Sequence, residues 1–175
     1  MKIVTYNIRV RKPEDKPEKM WNFRKTNLVK LLKSENPDII LFQEVKDFVQ
    51  RDYLKKSFPN FEWFGKGRDF QWNPYSEQCA VMWNKDKFKK IKSDYMFLSE
   101  TPWKRSKGWD GRYIKVLVWV ILEEIATGKR FMVMPIHLDT YGAIAKVKAA
   151  SLIKDFCNNI NIPIIFGGDF NSHIS

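Results

Sequence analysis

Residues 164–172 read IIFGGDFNS. An apolar run feeds two glycines, and then a carboxylate, Asp169, and an amide, Asn171, arrive two positions apart. Side chains two apart on an extended segment share a face, so a strand ending this way presents both groups together. A hydrophobic core has no use for such a pair, and ligand sites in open α/β arrangements gather beyond strand ends. The stretch therefore predicts a last strand, IPIIFGGDF, that ends in chemistry.

Working back along the chain, other apolar runs end the same way. KIVTYNI, β-branched and without breakers, predicts a buried strand over 2–8 and delivers Asn7. DIILFQEV, nearly continuous in apolar residues, has the look of a strand covered on both faces and delivers Glu44. RFMVMPIHLD delivers His137 and Asp139. Each residue alone has a structural reading: Asn7 as a strand end, Glu44 as a helix-start carboxylate, His137 as a satisfied half-buried histidine, DFN as a turn. The joint pattern points to one site. A hard divalent cation such as Mg²⁺ takes one or two carboxylates with phosphate oxygens and water. Glu44 and Asp169 supply the carboxylates, while Asn7 and Asn171 are neutral donors that leave the cation's charge intact.

Between these runs the pattern is mixed. A charged, proline-bearing loop precedes a helix from Met20–Trp21 to about Lys33, with Trp21, Leu28, Leu31 and Leu32 at helical spacing and Asn36-Pro37 closing it. A short helix over 47–56 and a strand around FEWFG follow. EQCAVMWN and KFKKIKSDYMFL read as a hairpin turned across 84–86, and YIKVLVWVILEE with RFMVMPIHLD as another, turned by Thr127-Gly128-Lys129. Pro135 argues against a central place for its half of the strand, or marks a bulge. AIAKVKAASLIKDFCNN puts Ala145, Ala149, Leu152 and Phe156 on one helical stripe. With no repeats and no linker, residues 1–175 read as a single α/β domain.

The 31 Lys and Arg against 20 Asp and Glu give +11 at pH 7, a surplus that favours polyanionic partners, nucleic acid first. Hydrophobic residues are 44% of the chain, which excludes a disordered reading. Two cysteines, Cys79 and Cys157, make no disulfide framework, and with only His137 and His173 a histidine-rich metal site is excluded. Nothing approaches the ~20 apolar residues needed to cross a bilayer, and MKIVTYNIRV carries no signal-peptide core. A cytoplasmic setting is the expectation. The loop 99–111 carries Trp103, Lys104, Arg105, Lys107 and Trp109, which could combine phosphate attraction with base stacking or simply be solvated.

TYNI, PDIILFQEV, MPIHLD and IIFGGDFNS, in that order, resemble the endonuclease/exonuclease/phosphatase superfamily with the DNase I-like fold. GKGRD, FLSETP and GWDGR look like its small bacterial metal-dependent hydrolase branch. The resemblance covers essentially the whole chain. It implies a four-layer α/β/β/α sandwich of two mixed sheets and Mg²⁺-dependent (or Mn²⁺-dependent) cleavage of phosphate esters. It further implies Glu44 and Asn7 at the metal, Asp169 orienting or deprotonating the attacking water, and Asn171 steadying the phosphorus. By the same resemblance His137 contacts the scissile phosphate with Glu77 near it, and Arg68, Arg112 and Asp139 lie about the substrate.

The resemblance also implies that full-length members continue past GDFN to further strands and a terminal Asp-His pair. On that expectation this chain is a C-terminally incomplete domain, with open sheet edges that invite self-association or a complementing fragment. Two functions stand at this point: a phosphodiesterase acting on nucleic acid, and a non-catalytic basic binding or split-protein module on the same fold.

Overall fold

A computed structural model describes residues 1–69 and 76–172, with strands and helices alternating at the start of the chain and five strands in succession through its middle. His173, left unassigned above, lies outside the described residues. The elements are β1 (Ile3–Asn7), α1 (Trp21–Ser34), β2 (Ile39–Val45), α2 (Gln50–Ser57), β3 (Phe61–Gly67), β4 (Gln78–Asn84), β5 (Phe88–Phe97), β6 (Val116–Glu124), β7 (Arg130–His137), α3 (Ala143–Asn158) and β8 (Ile164–Asp169).

Two four-stranded sheets form, ordered β1-β2-β4-β3 and β5-β6-β7-β8. The β1/β2 and β7/β8 pairs are parallel and the rest antiparallel. The strand period of two explains the layering. Ile40 and Phe42 of β2 pack outward with Leu28, Leu32 and Leu54 of α1 and α2. Ile39 and Leu41, pointing the other way, meet Val120, Leu122 and Val133 of the facing sheet. Across that second sheet Met132, Met134 and Ile136 meet Ala149 and Ile153 of α3. The result is the expected helix–sheet–sheet–helix sandwich, its three apolar interfaces supplied by alternate residues of the same strands.

Several expectations change. The segments 77–84 and 87–98 are not a hairpin: β4 is central in the first sheet, and β5 is an edge strand paired only to β6 in the second. Their burial explains the split, since β4 is buried almost throughout while most of β5 faces solvent. On α1, Val29 joins the buried stripe and Leu31 turns outward at 50% exposure. Pro135 lies on a strand with neighbours on both sides, yet β6 pairs β7 only from Arg130 to Val133, so Pro135 faces no β6 partner. The 130–139 segment does return antiparallel on β6, with Gly128 at φ +69° in the turn. At the other end of the second sheet β8 is an edge strand, and its Phe166 is 55% exposed.

Candidate active site

The ends of the two parallel pairs meet. Asn7 Nδ2 donates to Glu44 Oε1 at 3.0 Å and to Asp169 Oδ2 at 2.9 Å, so one amide ties a carboxylate of each sheet together. Ionised carboxylates only accept, which fixes the amide nitrogen toward them. Asn7 Oδ1 turns back to accept the Arg9 amide at 3.0 Å. Asn7 is thereby a bridge between the two carboxylates, with its oxygen engaged by the backbone.

Backbone distortion positions these groups. Pairing of β2 with β4 shifts register between Phe42 and Val45, and Glu44 inside that bulge has φ +59°. A non-glycine residue there costs about 1–2 kcal/mol. The bulge re-aims the side chain, and Val10 N–H holds its Oε2 at 3.0 Å. On β8, a Cβ at Gly168 would lie 1.9 Å from the Ile136 carbonyl oxygen, so only glycine lets the strand pass β7 this closely. That approach sets Asp169 opposite His137 in register. Asn171, at φ +49°, returns its own N–H to Asp169 Oδ1 at 3.0 Å and donates its side-chain amide to the Leu138 carbonyl at 2.9 Å.

Behind them lies a charged floor. Glu77 Oε1 stands 2.9 Å from Arg68 NH1, 3.6 Å from His137 Nδ1 and 3.9 Å from Lys115 Nζ. Burial pushes the Glu77 carboxyl up, against the pull of Arg68 and Lys115. Burial, with Lys115 adding to it, pushes His137 down to about 4 against the attraction of Glu44 and Asp169, so its imidazole is neutral at pH 7. For Glu44 and Asp169 burial pulls upward but is outweighed by the Asn7 and backbone hydrogen bonds, with the nearby Lys115 adding to them. Both end below the ordinary carboxylate range. Burial lowers Lys115, opposed chiefly by Glu77.

Glu44, Arg68, Glu77, Lys115 and His137 line one cleft of about 380 Å³, with Tyr113 and Tyr141 at its rim. Lys115 and the two tyrosines were missed by the sequence reading. The signal for Lys115 was a cation at the threshold of the apolar run VLVWV. Asp139, expected about the substrate, is 3% exposed and spends both oxygens on backbone amides. Arg112 does not line the cleft, but its guanidinium lies 4.8 Å from the ring centre of Tyr141, which does. Trp103, 83% exposed, and Trp109 do not line the cleft.

No group of three or more His, Cys, Asp or Glu suited to a metal occurs among the described residues. Two carboxylates tied by one amide fit instead the sparse, oxygen-only demand of Mg²⁺, whose remaining positions go to water and phosphate. No helix among the described residues is long and apolar enough to cross a membrane.

Comparison with known proteins finds relatives over most of the chain. An uncharacterized protein of Acanthamoeba polyphaga mimivirus is 27% identical over 161 residues, covering 87% of this chain and 59% of its own. A probable CCR4-Not complex 3'-5'-exoribonuclease subunit Ccr4 of Vairimorpha ceranae is 26% identical, over 86% of this chain and 36% of its own. The structure of a mannosyl-6-phosphatase of Bacteroides thetaiotaomicron superposes with a TM-score of 0.87 at 28% identity, covering 97% of this chain and 64% of that one. The chain thus spans less than two thirds of the length of each of these relatives. The profile of the endonuclease/exonuclease/phosphatase family matches residues 4–174, and with strand ends, carboxylates and histidine converging as described, the chain belongs to that family.

Proposed function

We propose that the chain acts as a Mg²⁺-dependent phosphoesterase that hydrolyses phosphodiester bonds, nucleic acid being the favoured substrate. The observation that carries the reading is the Asn7 amide joining Glu44 and Asp169 beside His137. Support for nucleic acid comes from the +11 charge and from similarity to an exoribonuclease subunit.

Glu44 would hold the cation, which when bound supplies charge neutralisation at a phosphate oxygen. Asp169, held ionised by the Asn7 and Asn171 donors, orients the attacking water and accepts its proton at a carboxylate oxygen. His137, neutral, offers the phosphate a hydrogen bond. Arg68 and Lys115 bring positive charge to the cleft floor, where burial strengthens their pull on a phosphate. Asn171, through its backbone amide, steadies Asp169.

Similarity to the mannosyl-6-phosphatase supports a second reading, hydrolysis of a sugar phosphomonoester at the same cleft. Hydrolysis of bis(p-nitrophenyl) phosphate against p-nitrophenyl phosphate, with and without Mg²⁺, decides between them. The proposal expects Mg²⁺-dependent turnover of the diester that disappears in Glu44→Ala and Asp169→Ala. Turnover of the monoester alone favours the second reading. Equal DNA binding by parent and both variants, with no turnover by any, favours a basic binding module.

A further inference from the structure

We infer that Tyr113 and Tyr141 form an aromatic wall at the rim of the cleft, where a nucleobase flanking the bound phosphate stacks. The inference rests on the phosphate reading of that cleft and adds the chemical class of what lies beside the phosphate.

Both rings line the same cleft as Glu44, Arg68 and His137. Both are set by one buried carboxylate. Asp139 Oδ2 accepts the Tyr113 amide at 3.1 Å, and Oδ1 accepts the amides of Tyr141 and Gly142 at 2.9 Å each. Gly142 opens α3, so part of this clamp starts a helix. The rest pins two tyrosines from separate loops, and core packing does not account for that, because Tyr141 remains 62% exposed and Tyr113 38%.

The ring centres are 6.4 Å apart with planes inclined at 56°. A base sandwiched between parallel rings needs about 7 Å, twice a ~3.5 Å contact. The pair is therefore a continuous angled wall, and a base lies against it. Arginines flank the wall: Arg112 sits 4.8 Å from the Tyr141 centre and 5.5 Å from that of Tyr113, and Arg68 sits 4.7 Å from Tyr113. A cation on one face of Tyr141 draws electron density from the ring and leaves the opposite face suited to another π-system. A lipid tail would want apolar surface here, whereas a nucleotide matches the alternation of cation and ring, one for phosphate and one for base.

The tryptophans of the 99–111 loop, where the sequence suggested stacking, lie outside the cleft. The stacking surface is supplied by the residues just beyond that loop and just beyond the HLD motif.

The test is equilibrium binding by fluorescence anisotropy, with the intact chain in EDTA so that nothing turns over. Two probes of equal length and label are compared, a thymidine hexamer and its abasic counterpart. The expected result is about tenfold tighter binding of the base-bearing probe, with the difference erased by Tyr141→Ala and kept by Tyr141→Phe. Tyr141, exposed, can be truncated without opening a cavity. Equal affinities in the parent, or a difference that survives Tyr141→Ala, overturns the wall. Displacement of the hexamer by mannose 6-phosphate as readily as by thymidine monophosphate overturns it in favour of a sugar. Mg²⁺-dependent turnover is scored separately: turnover without base preference removes the wall alone, and base preference without turnover removes the hydrolytic reading alone.

Discussion

Asn7 and Asp169 are 162 positions apart in the chain, lie in different sheets, and share a hydrogen bond of 2.9 Å. The same amide nitrogen holds Glu44 at 3.0 Å. A single neutral residue thus donates to one carboxylate from each sheet.

Asn7→Ala removes that bridge and leaves a carboxylate oxygen on each side without its donor. The expected cost is about 1–3 kcal/mol of stability in the absence of metal, measured by urea unfolding. Diester turnover in Mg²⁺ falls about 10–100-fold, as for other residues that orient a metal ligand.

Gly168→Ala tests the close passage of β8 against β7. An added Cβ meets the Ile136 carbonyl oxygen at 1.9 Å, whereas at Gly167 the nearest atom is 3.6 Å away. Gly168→Ala should cost more than about 2 kcal/mol and displace Asp169, while Gly167→Ala stays within about 0.5 kcal/mol. Thermal melts of the two variants side by side give the answer, the second acting as a control for strand glycine replacement.

The fold was largely legible because burial on both faces leaves a plain mark: β2 is IILFQEV, and its alternate residues fill two different interfaces. Asn7, Glu44, His137 and Asp169 could be picked out because polar residues at the ends of such runs have no packing role. The pairing of β4 with β5 was misread because a short turn says nothing about which sheet each strand joins; the polar outer face of β5 was the available clue. Lys115 and the rim tyrosines escaped because their importance comes from where β6 and the HLD loop bring them. The role of Asn7 as a bridge was illegible for the same reason, since a sequence shows an amide but not its neighbours.

Asp38 gives a pH dependence away from the site. It accepts the Lys2 amide at 2.6 Å and pairs with Lys87, fastening the start of β1 to the crossing from β4 to β5. Burial raises its pKa, but the Lys87 and Lys2 hydrogen bonds outweigh this and it ends below 3.8. A lowered carboxylate contributes stability above its unfolded pKa and loses it as pH falls through the folded value. The melting temperature of Asp38→Asn should accordingly lie below the parent's at pH 7, with the gap closing below about pH 4. A gap that stays constant down to pH 2 would show that the Asp38 charge is not what fastens these segments.

The most direct measurement is a Mn²⁺ titration of the intact chain followed by electron paramagnetic resonance, alongside Glu44→Gln and the exposed control Glu35→Gln. A cation held at Glu44, with Asp169 beside it as the base, predicts a single bound Mn²⁺ per chain, displaced by Mg²⁺, retained in Glu35→Gln and weakened at least tenfold in Glu44→Gln. No bound ion, or binding that Glu44→Gln leaves untouched, would contradict it.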